Sequence, residues 1–365
     1  MSSTEGKPAL VNPIDPSVAD KVDPVFAEIY NRFRAPNFRE DQVPYEVYNS
    51  DREKYTFPVS EVTEPYGDVA STLIYKVPVV DPKGEIDVQV YVPTPSAISS
   101  GGLQQDDLLP AVVNFHGGGF VIGGLESDAS LCGKICSRVG CIVVNVAYRL
   151  APEYPHPTSV NDSWQALKWI YEKAKDLGVD GTRVAVSGLS AGACIAAVLA
   201  IQARDNPVLP PLALQLLIVP LVDARYVPIE GSADPEKTPY KSYIYFERAP
   251  MLPLARLRWF YNLWLGTDEG REEMANNFFA SPIMAESHAN LAPAVIHSAE
   301  IDPLVEEGAA YHKKLEQAGT PSKFKVYKGQ GHAFPHWDAL SPTAKEFVSD
   351  CVRELREAFS KNIRH

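Results

Sequence analysis

Gly188-Leu189-Ser190-Ala191-Gly192 sets a serine between two glycines, and its surroundings say where in a fold it stands. The run Arg183-Val184-Ala185-Val186-Ser187 before it reads as a buried strand, and the small residues 191–197 after it read as the start of a helix. A strand-to-helix turn that sharp needs glycine on either side, because side chains there would meet neighbouring backbone. It presents a hydroxyl above a sheet and beside a helix N-terminus, whose unpaired N–H groups favour developing negative charge. Such a hydroxyl becomes a nucleophile once a base takes its proton. The plain alternative is a structural glycine turn with an incidental serine. Ser187 lies within the strand, lacks the glycine frame and is expected to be a buried hydroxyl bonded to backbone.

The remaining parts of an acyl-transfer site stand elsewhere in the chain. His116-Gly117-Gly118-Gly119-Phe120 directly follows an apolar segment. Three successive glycines let backbone pass close to a substrate carbonyl and aim N–H groups at its oxygen, where charge develops in the transition state. The expected donors are Gly118 and Gly119, completed by Ala191, with Gly117 a further candidate. A phosphate-cradling loop would need a lysine after the glycines, and none is there. His116 is expected to orient this loop. Gly329-Gln330-Gly331-His332-Ala333-Phe334 offers a histidine in a flexible loop after the last strand, the candidate general base. Asp302 follows the apolar segment 295–299 and would orient that base. The order is then Ser, Asp, His, as α/β-hydrolases arrange it. Asp223 also follows a strand and Glu300 stands at a strand end, so both compete with Asp302, which chain order favours. His336 competes with His332 but lacks its glycine. His156, His288, His297 and His312 read as structural or solvated.

These residues need a scaffold, and the pattern from residue 111 onward supplies one. Near-continuous apolar runs at 111–115, 141–147, 183–187, 213–220, 294–299 and 324–327 are what a parallel sheet covered on both faces requires. Helical periodicity falls between them at about 127–139, 161–177, 191–204 and 304–318, with a last helix near 343–360. Upstream, segments 71–77 and 85–92 flank the turn Asp81-Pro82-Lys83-Gly84 as a strand pair. Residues 35–70 read as irregular and 93–110 as a surface loop. Residues 225–280 break the rhythm with prolines, many aromatics and a helix at 254–265, more than a connection needs. They are expected to form a cap over the site together with an N-terminal helix at 25–33. The organisation is therefore 1–66 N-terminal part of the cap, 67–224 first part of the core, 225–280 cap insertion, 281–365 second part of the core. An edge elaboration of the core is the alternative for the insertion.

Composition narrows the partners. Apolar residues make up 45% and charged residues 22%, enough for a sizeable core. A net charge of −12 argues against nucleic acid or an anionic membrane surface as main partner. The five cysteines have no framework spacing, and Cys132, Cys136 and Cys194 sit among apolar neighbours, which fits a reducing compartment. Cys132 and Cys136 stand four apart, but no second His/Cys pair accompanies them for zinc. The N-terminus lacks a basic and apolar leader pattern, no apolar run reaches membrane length, and Ile363-Arg364-His365 matches no common address. A cytoplasmic protein without stable membrane association is expected.

Taken together, His116–Gly119, Tyr148-Arg149-Leu150-Ala151-Pro152-Glu153, Gly188–Gly192, Asp302-Pro303-Leu304 and Gly331-His332-Ala333-Phe334 resemble the hormone-sensitive lipase family, the esterase group with an HGGG loop. They occur in family order across roughly residues 70–340. The resemblance implies an α/β-hydrolase fold with a mostly parallel eight-stranded sheet, helices on both faces and a helical cap. It also implies no cofactor, and hydrolysis of short- to medium-chain acyl esters. It makes Tyr148–Glu153 a scaffold beneath the site, so Arg149 and Glu153 are structural. The chain departs from the family at Leu189, usually Asp or Thr, and at Ala193, often glycine. The implied enzyme is a serine carboxylesterase acting on a small-molecule ester. A non-catalytic small-molecule receptor on the same fold is the alternative from another class, disfavoured because all three triad positions are occupied. A lactonase, thioesterase, amidase or acyltransferase with the same triad is a third reading. The N-terminus and the insertion could equally serve the contacts of a homodimer.

Overall fold

The computed structural model describes residues 10–55, 59–104 and 108–361; the first nine residues, 56–58, 105–107 and 362–365, which include the terminal Ile363-Arg364-His365, lie outside the described residues. Eight strands form one sheet: β1 Val69–Val80, β2 Lys83–Pro93, β3 Leu109–Phe115, β4 Ile142–Ala147, β5 Val179–Leu189, β6 Leu214–Ile218, β7 Ala294–Ile301 and β8 Ser322–Gly331. Their spatial order is β1-β2-β4-β3-β5-β6-β7-β8. The first two pairings are antiparallel and the rest parallel. Every residue of β3 is buried, as a central strand covered on both faces requires.

Alternate residues of each strand feed two separate cores. Val113 and Phe115 point to one face, where helices Thr158–Glu172, Ala191–Asp205 and Val305–Gln317 pack. Val112 and Val143 point to the other, covered by helices Ala129–Val139 and Pro342–Lys361. Helix Ala191–Asp205 is built from small residues because it lies directly on β3, β5 and β6. All six expected parallel strands and the strand pair occur.

Three local expectations need correction. Residues 35–70 are not irregular throughout but hold the short helical turns Glu40–Gln42, Tyr45–Ser50, Glu53–Tyr55 and Val59–Val62. Each is too short to show a helical period. The loop expected at 93–110 contains helix Pro95–Ser100, capped by Thr94, whose Oγ1 accepts the Ala97 N–H at 3.2 Å, and it buries Ala97 and Ile98. Strand β8 runs on to Gly331, so His332 follows the strand directly and is buried rather than carried on a flexible loop. The Lys and Gly residues of this edge strand hide its period.

The insertion after β6 carries helix Leu254–Leu265, which meets the turn Glu40–Gln42 of the N-terminal segment. The N-terminal helix Pro24–Phe33 lies against the end of β8: an added Cβ on Gly331 would stand 2.7 Å from Phe26 Cζ. Among the described residues no helix is long and apolar enough to cross a membrane.

Candidate active site

The serine sits where strand β5 turns into helix Ala191–Asp205. Ser190 has φ 56° and ψ −113°, a left-handed conformation that a non-glycine residue adopts only when its surroundings hold it there. Those surroundings are visible: Ser190 N–H donates to Ile218 O of β6 at 2.8 Å. A Cβ on Gly188 would stand 2.2 Å from the backbone of Gly192, and one on Gly192 only 1.8 Å from Phe115 O. The two glycines are therefore required by close backbone approach. They also press the turn at Ser190 against the end of β3, where the glycine loop begins.

Three residues far apart in sequence meet in one line of hydrogen bonds. Ser190 Oγ lies 2.8 Å from His332 Nε2, and His332 Nδ1 lies 2.6 Å from Asp302 Oδ2. All three are buried, with Asp302 only 1% exposed. Asp302 also accepts the Leu304 N–H on Oδ1 at 3.0 Å, so both carboxylate oxygens are engaged and its orientation is fixed. A carboxylate can only accept, so Nδ1 carries the imidazole proton and Nε2 is left to accept from Ser190.

The competing residues are held elsewhere. Asp223 binds Arg225 through both oxygens at 2.8 Å and accepts from Tyr240 Oη at 2.7 Å. Glu300 accepts Lys328 Nζ and the Gly329 N–H, both at 2.8 Å, which steadies the strand end that carries His332. His336 stands 3.7 Å from Asp128, and burial holds its ring below the usual histidine range. Ser187 is buried within β5 as expected. Its hydroxyl nevertheless finds no partner among the described residues, which corrects the expected bond to backbone.

The glycine loop is shaped by contacts on two sides. From below, His116 stacks on Tyr148 with ring centroids 4.3 Å apart, and Tyr148 Oη donates to His116 O at 2.7 Å. His116 Nδ1 donates to Gly117 O at 2.7 Å. Burial lowers its pKa, so the ring orients the loop as a neutral group. Arg149 donates to both oxygens of Asp162 at 2.8 and 2.7 Å, bracing the segment underneath. Leu189, beside Ser190, packs on Gly117: a Cβ there would stand 2.7 Å from Leu189 Cδ2. Apolar contact thus supports the loop from the residue before Ser190. Among the described residues the N–H groups of Gly118, Gly119 and Ala191 donate to no protein acceptor, and Gly117 shares this. Free donors of this kind can receive an oxygen that gains charge.

The family match rests on both sequence and structure. Residues 112–336 match the α/β-hydrolase fold family. The chain belongs to the hormone-sensitive lipase family of α/β-hydrolases. It is 34% identical over 95% of its length to an AB hydrolase superfamily protein of Schizosaccharomyces pombe, covering 97% of that protein. It is 33% identical to an ethyl acetate hydrolase of Pseudomonas putida, covering 68% of this chain and 73% of that one. Among solved structures, the hyperthermophilic esterase of Pyrobaculum calidifontis superposes with TM-score 0.76 at 29% identity, over 92% of this chain and 98% of that one. A bacterial heroin esterase superposes with TM-score 0.77 at 26% identity, over 93% and 98%. The chain is a hydrolase of the esterase class to which these family members belong. A catalytic triad and an oxyanion hole are typical of this family.

Sequence reasoning placed Phe260 and Trp264 in the aromatic insertion over the site without naming what they touch. Phe260 and Trp264 of helix Leu254–Leu265 lie on the upper side of the glycine loop. A Cβ on Gly119 would stand 2.2 Å from Phe260 Cγ, and the Trp264 ring stacks on Phe120 at 3.7 Å. A partial signal existed in the aromatic density of residues 259–264. Cys132 and Cys136 are buried free thiols with raised pKa, and among the described residues no His, Cys, Asp or Glu group gathers as a metal site.

Proposed function

We propose that the chain hydrolyses small carboxylic esters in two steps through an acyl group on Ser190. His332 takes the Ser190 proton on Nε2 as Oγ bonds the ester carbonyl carbon, and Asp302 stabilises the imidazolium that forms. The carbonyl oxygen becomes an oxyanion facing the N–H groups of Gly118, Gly119 and Ala191, each such donor contributing about 3 kcal/mol to the transition state. The carbon–oxygen bond to the alcohol then breaks, and the alcohol leaves with the proton from Nε2. Water repeats the sequence: His332 takes its proton, the carboxylic acid departs, and Oγ regains a proton.

The observation carrying this reading is the unbroken hydrogen-bonded line Ser190–His332–Asp302, with bonds of 2.8 and 2.6 Å. The relatives named as esterases agree with it, and the ethyl acetate hydrolase supports a short acyl chain. Residues 225–280, with the N-terminal segment, act as the cap that encloses the acyl or alcohol part in apolar surroundings. Five buried free cysteines suit a reducing, cytoplasmic setting. A fluorophosphonate probe should label the protein once, at Ser190, and Ser190→Ala should lose both the label and hydrolysis of nitrophenyl acetate and butyrate. Rates should decline with acyl chains beyond medium length. Labelling elsewhere, or hydrolysis retained by Ser190→Ala, would reject the assignment.

A further inference from the structure

The upper side of the glycine loop is closed by a helix that the reaction scheme does not use. Phe260 is 4% exposed, and its ring lies so close over Gly119 that any side chain there would overlap it. Its freedom is removed from two directions. Trp259 packs edge-on at 5.2 Å, and the Arg256 guanidinium, one helical turn earlier, sits 5.3 Å from the Phe260 ring centroid. Arg256 is itself anchored. Its Nε donates to Glu40 Oε1 at 2.6 Å and its Nη1 to Met251 O at 2.5 Å. Glu40 is 1% exposed and also accepts Arg34 Nη2 at 3.1 Å. Two guanidiniums thus share one buried carboxylate that belongs to the N-terminal segment. Trp264 on the next turn stacks on Phe120, so the same helix face covers two successive loop residues.

A buried ion network is weak as a source of stability but specific in geometry. Here it fixes the register between the N-terminal segment and the insertion helix, and the helix in turn touches the residue whose N–H faces the developing charge. Resting on the reading above, we propose that Phe260 is a positioning residue for the oxyanion donors. The Arg34–Glu40–Arg256 network holds Phe260 at the height that keeps the Gly118 and Gly119 N–H groups aimed at the carbonyl oxygen. The contact acts on the transition state, because the donors matter most when the oxygen carries charge.

The experiment compares Phe260→Ala, Phe260→Leu and Arg256→Met with the unmodified protein. Three quantities are read: kcat and KM on nitrophenyl acetate, inhibition by a trifluoromethyl ketone that forms a tetrahedral oxyanion, and thermal unfolding. Loss of a whole oxyanion donor costs about 10²–10³ in kcat, and small displacements cost up to about 10². Phe260→Ala should therefore lower kcat about ten- to a hundredfold with KM within about twofold. Ketone inhibition should weaken in parallel. Phe260→Leu, which keeps bulk and folds if alanine does not, should lie between, and Arg256→Met should shift both quantities the same way although it touches no reacting group. Unfolding at lower temperature with kcat and ketone affinity unchanged would reduce Phe260 to core packing. An unaffected Arg256→Met would remove the network from the account. Absence of ester hydrolysis by the unmodified protein would instead overturn the reading beneath both.

Discussion

At the scale of single residues, the site depends on conformations that only a few side chains tolerate. Gly119 has φ +60° and has no room beyond Cα, since an added methyl would stand 2.2 Å from Phe260 Cγ. Gly119→Ala should therefore lower stability by about 1–3 kcal/mol and lower kcat more than KM, read by calorimetry and steady-state kinetics on the same sample. Asp302 acts at one remove: its Oδ2 holds the imidazole tautomer at 2.6 Å. Asp302→Asn can present an N–H to that ring and favour the wrong tautomer, so kcat should fall about 10⁴-fold. Circular dichroism should be unchanged. Retention of activity in Asp302→Asn would mean that another acid serves His332, with Asp223 next to be tested.

At the scale of elements, the N-terminal segment and the insertion helix are joined through charge buried on both sides. Glu40→Ala would leave Arg34 and Arg256 inside without their shared carboxylate. Breaking a buried pair in this way costs about 3–5 kcal/mol, and denaturant unfolding should register it. The pH response has a definite sign. Burial is the largest influence on Glu40 and would raise its pKa, yet the charges of Arg256 and Arg34, with the hydrogen bonds to the carboxylate, hold it below its ordinary value. A depressed carboxylate stabilises the fold fully above its unfolded pKa and loses that contribution as pH falls through the folded value. Acid should therefore begin to weaken the joint below about pH 4. Glu40→Gln should be less stable at neutral pH and lose less on acidification.

Across the whole molecule, one buried acid ties the second half of the core to the insertion. Glu307 on helix Val305–Gln317 accepts the N–H groups of Val222 at 2.8 Å and Asp223 at 3.0 Å, while its other oxygen meets the Tyr243 hydroxyl of the insertion. Burial first, and then the nearby Asp223 charge, push its pKa up to about 8. Tyr261 and Arg271 of the insertion also stand in this charge environment. Glu307 is thus mostly protonated at neutral pH in the fold but ionised in the unfolded chain. A raised pKa contributes stability that is complete below the unfolded value and is lost as pH rises through the folded value. The unfolding free energy should therefore decline between about pH 5 and pH 8 by an amount on the order of a few kcal/mol, seen as a falling melting temperature. Glu307→Gln copies the protonated shape and should flatten this decline. A pH profile identical in both proteins would show that Glu307 is ionised in the fold.

What the amino-acid sequence determines by itself is what depends on near neighbours. Continuous apolar runs marked the parallel strands because both faces of the sheet are covered, and Gly188 marked the turn at Ser190 because its close backbone contact, with Gly192, is local. The order of Ser190, Asp302 and His332 follows from which strand end each occupies. Tertiary structure decided the rest, because contact across long separations depends on the path of the chain. It joined His332 to Asp302 rather than to Asp223, whose carboxylate is taken by Arg225 and Tyr240. It continued β8 to Gly331 through pairing with Ile301, which Lys- and Gly-rich residues could not announce. It left the Ser187 hydroxyl without a partner among the described residues, since strand geometry fixed where that side chain points. And it set Phe260 on Gly119 and joined Arg256, which meets the Phe260 ring, to Glu40 of a separate segment.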